Sequence, residues 1–116
     1  MPDDGFPVEL VGGVPVVTTP EEIDITNAGR LRSALLEAAA AGGHRVVVDM
    51  SRTQYCDTAG IHALVGAHKR AAAGDGDLRL VITGPTVLRI FTITGLDQVI
   101  PHFTSLDEAL TGAGTG

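Results

Sequence analysis

The stretch that decides the fold is Arg45-Val46-Val47-Val48-Asp49-Met50-Ser51, followed three residues later by Tyr55-Cys56-Asp57-Thr58-Ala59-Gly60-Ile61. An unbroken β-branched run reads as a strand buried on both faces, as in a parallel sheet. Beyond it, Ile61, Leu64, Val65, His68 and Ala72 recur at helical spacing. That pattern predicts a helix from about Ala59 to Ala73, stopped by Gly74-Asp75-Gly76. Strand, loop and helix in this order are half of a βαβ unit. In such sheets function gathers in the loops beyond the carboxyl ends of the strands.

Upstream, Val8 to Val11 and Val14 to Thr18 flank Gly12-Gly13. Two β-branched runs around a Gly-Gly turn predict an antiparallel hairpin, because such turns need positive φ. Pro15 lacks an amide donor, so its strand is not expected to pair on both sides there. Ala28, Leu31, Ala34, Leu35 and Ala38 predict a helix from Asn27 to about Ala41, ended by Gly42-Gly43. Downstream, Leu78 to Ile82 predicts a strand, Pro85 to Gly95 a helix with Pro at its first turn, and Val99 to Phe103 a last strand. Ser105 and Glu108 have the spacing of a capping box that opens a final short helix. The expectation is one α/β domain over residues 1–116, with its core at about 7–110. It has a mixed β-sheet, an N-terminal antiparallel hairpin and four helices. The ends, Met1 to Gly5 and Thr111 to Gly116, are expected to fray.

Composition excludes several classes of function. With 44% hydrophobic residues, the 116-residue chain is not dominated by disorder. No apolar run approaches a membrane span, and Met1 to Gly5 has neither the basic nor the apolar part of a signal peptide. A cytoplasmic, membrane-free protein is expected, and a monomer. The net charge of −6, a single basic cluster at His68-Lys69-Arg70 and 3% aromatics argue against nucleic acid. Cys56 is the only cysteine, and His44, His62, His68 and His102 show no ligand spacing, so neither a metal nor another cofactor is expected. No base–nucleophile pair or Gly-rich phosphate cradle points to an enzyme.

The loop before the second helix is the candidate site. Asp57 and Thr58 fall at the helix N-terminus, where either side chain can accept from free amides. The helix dipole makes that place electropositive, so a phosphate on Thr58 would be tolerated without unfolding the helix. An ordinary helix cap accounts for both residues equally well. Asp24, just before the first helix, reads as a cap or as a partner contact. Cys56 reads as a small buried hydrophobe. Asp49 follows a strand, as the acceptor of a response-regulator receiver does. That rival also needs an acidic pair after the first strand and a lysine after the last, and the only lysine, Lys69, lies on a helix.

The two quoted segments resemble the signature of STAS domains, and more narrowly that of bacterial anti-sigma-factor antagonists. That group reads Asp-(Leu/Met)-Ser, several residues, then Asp-Ser-(Ser/Thr/Ala)-Gly-(Leu/Ile). Glu22-Ile23-Asp24 is similar to its Gly-Glu-(Leu/Ile)-Asp element, and Gly84 to Phe91 with Thr94-Gly95-Leu96 to its third-helix region. The resemblance implies a non-enzymatic switch that binds an ATP-binding anti-sigma factor kinase and releases a sigma factor. Thr58 is then the phosphoacceptor. Asp57 orients its hydroxyl or binds the partner, and Gly60 allows close approach of the partner backbone. Asp24, Asp57, Thr58, Ala59, Gly60 and His62 are the implied partner-binding residues. Here Thr58 stands where Ser is commoner, Ala59 replaces a second hydroxyl, and Glu21 replaces a glycine. The same resemblance allows a STAS scaffold or regulatory subunit of a stress-sensing or transport complex.

Overall fold

The computed structural model describes residues 6–42 and 45–111. The ends expected to fray, residues 1–5 and 112–116, lie outside them, as do Gly43 and His44. The hairpin forms as β1 (Val8–Val11) and β2 (Val14–Thr18). Gly12 and Gly13 sit at φ 60° and 85°, the left-handed conformations that a two-residue turn requires. Next come α1 (Ala28–Gly42), β4 (Arg45–Asp49), α2 (Thr58–Ala73), β6 (Asp77–Val81), α3 (Pro85–Thr94), β7 (His102–Phe103) and α4 (Leu106–Thr111). Two further strands, β3 (Glu22–Ile23) and β5 (Tyr55–Cys56), were not legible in the sequence.

The main sheet has the order β1-β2-β4-β6-β7, with β1 antiparallel to β2 and every other pairing parallel. The β2–β4 pairing begins at Val16↔Val47, one residue after Pro15, as the missing amide requires. Alternation along the strands divides the core between the two faces. Val17, Val46, Val48, Leu78 and Leu80 pack under Leu31, Leu35, Leu64 and Phe91 from α1, α2 and α3. On the other face Val16, Val47 and Val81 meet Ala109, Leu106 and Leu110 of α4. The two faces differ in depth, and the larger cluster carries the site.

Three expectations are corrected. The buried stripe of α2 is Gly60, Ala63, Leu64, Ala67 and Ala71, rotated by about one residue from the predicted one, and Ala72 is exposed. Small residues made that face hard to rank by hydropathy. The strand expected over Val99 to Phe103 shrinks to β7, because Leu96 to Gln98 form a 3-10 turn and Val99 points to solvent. The capping box is half made. The Ser105 hydroxyl accepts from the Glu108 amide at 3.1 Å, while the Glu108 carboxylate takes the Thr104 hydroxyl at 3.2 Å. No helix among the described residues is long and apolar enough to cross a membrane.

Candidate functional site

The site is built where the chain leaves β2 and β4 at the same end of the sheet. Thr19 and Thr53, the only fully buried polar residues described, tie the two exits together. The two hydroxyls lie 2.6 Å apart; Thr53 also reaches the Pro20 carbonyl at 2.6 Å, and Thr19 the Asp49 carbonyl at 3.3 Å. Burial of these hydroxyls is tolerable because they satisfy one another. The clamp sets the two following segments side by side as the parallel pair β3–β5, in the register Glu22↔Tyr55 and Ile23↔Cys56. Thr19 and Thr53 were not singled out in the sequence, since their partners lie 33 and 34 residues away.

The pairing delivers Asp24 and Asp57 to adjacent positions, each directly after its short strand. The Asp57 amide donates to the Ile23 carbonyl at 3.0 Å, which fixes the entry to α2. Asp57 is the N-cap, and its carboxylate accepts from the Gly60 amide at 3.2 Å. Thr58 is the first residue of α2, and it is exposed. His62 is exposed one turn further along the same helix face. Thr58 is therefore presented to solvent at the start of the helix.

Asp24 is held by its own turn. Its carboxylate accepts from the Thr26 hydroxyl at 2.5 Å and the Thr26 amide at 2.9 Å. These bonds, the hydroxyl's first, draw the Asp24 carboxyl below the usual carboxylate range. The Asp24 carbonyl takes the amides of Asn27 and Ala28, so the residue also starts α1.

Ala59 and Gly60 belong to the floor beneath the site. Ala59 packs on the core. Gly60 is buried, and a Cβ there would lie 2.6 Å from Ile23 Cγ2 and 2.7 Å from Cys56 Sγ. The close approach that needs glycine is thus to this chain's own β3 and β5. Cys56 is buried as expected. Burial, with a smaller contribution from Asp57, pushes its thiol up to about 12. Asp49, the residue of the receiver reading, turns its carboxylate onto the Ser51 amide at 3.0 Å. A groove of about 770 Å³ lies against β1 and α1, and Thr58 does not line it.

The fold as a whole is shared with known proteins. The STAS domain profile matches residues 6–109, and the chain belongs to that family. Within it, the chain is of the anti-sigma-factor antagonist group. It is 28% identical over 104 residues to the anti-sigma-F factor antagonist RsfB of Mycobacterium tuberculosis, spanning 90% of this chain and 84% of that one. It is 32% identical to the anti-sigma-B factor antagonist of Bacillus subtilis over 68% of this chain and 72% of the relative. An anti-sigma factor antagonist from Mycobacterium paratuberculosis superposes with a TM-score of 0.83 at 31% identity, covering 92% of this chain and 91% of that chain. Unphosphorylated SpoIIAA shares the fold with a TM-score of 0.76 at 21% identity, over 96% of this chain and all of that one. The family assignment replaces the receiver reading.

Proposed function

We propose that this chain binds an anti-sigma factor that is also a serine/threonine kinase, and thereby frees a sigma factor in the cytoplasm. The kinase ends the complex by moving the γ-phosphoryl group of ATP to the Thr58 hydroxyl. Thr58 Oγ1 forms the new P–O bond, ADP leaves, and the hydroxyl proton passes to a base of the kinase. The chain itself catalyses nothing. The observation that carries this reading is the solvent-facing Thr58 at the first position of a capped helix. The positive end of the helix accepts the added charge, so the fold survives phosphorylation. A partner surface fitted to a neutral hydroxyl does not, since like charge at an interface costs several kcal/mol. Asp24, Asp57 and His62 rim the contact, and Ala59 and Gly60 hold it from beneath. SpoIIAA, which shares the fold, has been solved in a phosphorylated as well as an unphosphorylated form.

The test is mass spectrometry after incubation with the cognate kinase and ATP, which is expected to find one phosphate, on Thr58. No phosphate there with an active kinase removes the switch. In a pull-down, Thr58→Ala is expected to retain the partner and Thr58→Asp to lose it by about 100-fold. Equal retention of both variants contradicts the electrostatic account.

A further inference from the structure

We propose that the open edge of the sheet is an interface between two copies of this chain, in which β1 pairs antiparallel with its own copy and Val8 lies on the two-fold axis. This departs from the monomer expected from the sequence.

The hairpin fixes which backbone groups are available. A two-residue turn makes Val11↔Val14 the bonded pair that closes it. Bonded and non-bonded pairs then alternate, so Leu10↔Pro15 and Val8↔Val17 are non-bonded. Pro15, which has no N–H, fits that assignment. The Thr18 amide donating to the Pro7 carbonyl at 3.0 Å continues the alternation. Val8 and Leu10 therefore turn their N–H and C=O groups outward, and among the described residues no strand lies on that side. Their side chains are open as well, 49% and 67% exposed. Val8 and Phe6 line the groove against Ala34 and Ala38 of α1, and Leu10 shares their face of the strand.

Exposed edges are usually blunted by charge, proline or a bulge. Between Phe6 and Thr18 the single charged residue is Glu9. That one charge selects the register. Pairing centred on Glu9 sets two carboxylates directly opposite each other, which is destabilising. Pairing centred on Leu10 sets Val8 against Gly12, whose φ of 60° breaks the extended backbone. Pairing centred on Val8 joins Val8 to its copy and Leu10 to Phe6, and sets Glu9 opposite Pro7. Every outward group of Val8 and Leu10 is then used. Val8 and Leu10 of both copies then form one exposed apolar strip, backed by Phe6, which is already buried in its own chain. A strand with one charge offers a foreign partner little to read, whereas a second copy meets it with matching apolar residues and no opposed charge.

Sedimentation velocity of the full chain is expected to give twice the chain mass, falling to one on dilution. Val8→Cys is expected to cross-link on oxidation, because Cα atoms of a bonded antiparallel pair lie about 5.5 Å apart, within disulfide reach. Glu9→Cys is expected not to cross-link, and Cys56, 1% exposed, does not compete. Leu10→Lys is expected to weaken association at least about 10-fold with unchanged circular dichroism, since Leu10 is exposed in the single copy. A chain that stays monomeric at about 1 mM overturns the proposal. So does cross-linking through Glu9→Cys in place of Val8→Cys. Protection of the Val8 and Leu10 amides only when another protein is added assigns the edge to that protein instead.

Discussion

Two parallel pairings in this molecule use the same hydrogen bonds to different ends. Strands β2, β4 and β6 pair at the centre of the main sheet, with Val17, Val47, Val48 and Leu80 sealed on both faces. Strands β3 and β5 pair over only two positions, with Glu22 and Tyr55 exposed. The first pairing makes the core. The second adds little buried area, yet it sets Asp24 beside Asp57 and aims the start of α2. Stability and site geometry are thus carried by separate parts of one scaffold, joined through Ile23, Cys56 and Gly60.

The separation can be broken from the core side first. Leu31 of α1 is fully buried over the main sheet, and Leu31→Ala is expected to cost about 2–5 kcal/mol in urea denaturation. Because the site rests on β3–β5, the variant should still be phosphorylated at Thr58 wherever it remains folded. Gly60→Ala tests the joint. Its Cβ meets Ile23 and Cys56 below 3.0 Å, so a loss of about 1–3 kcal/mol is expected. Here partner affinity should fall as well, measured by calorimetry on protein that remains folded. An unchanged affinity would mean that β3 and β5 do not aim the helix.

Smaller effects sharpen the picture within the site. Asp57→Ala removes the α2 cap and is expected to lower stability by about 1 kcal/mol, read from the denaturation midpoint. Asp57→Asn keeps an accepting oxygen and should recover most of that loss. The smallest effect is at Asp24. Thr26→Val removes the hydroxyl that most strongly holds its carboxyl down, so the Asp24 pKa should rise toward the ordinary value in an NMR titration. The folded-state carboxyl is depressed, so the stabilisation it gives is present above its unfolded pKa and is lost as pH falls through the folded one. Thr26→Val should reduce that acid-side loss.

The main sheet could be read from the sequence because its signals are local. Val46 to Val48, the turn at Gly12-Gly13 and the apolar spacing of α1 each declare an element without reference to the rest of the chain. The site was legible only in part. Asp57 and Thr58 stand out as a helix start, and only the family resemblance suggested a role for Thr58. Gly60 was assigned to a partner's approach, because nothing nearby in sequence announces that Ile23 and Cys56 press on it. Thr19 and Thr53 gave no signal, since a buried hydroxyl looks like any threonine until its partner is known.

By itself the sequence determined an α/β domain with an antiparallel hairpin, buried parallel strands and a helix opening at Asp57-Thr58. Periodicity, turn chemistry and caps are set by neighbours within a few residues. Only the tertiary structure decided the β3–β5 pair, the threonine clamp behind it, the rotation of α2 about its axis and the open edge at Val8 and Leu10. Each of these depends on groups brought together from distant parts of the chain, where packing and hydrogen-bond satisfaction outweigh local preference.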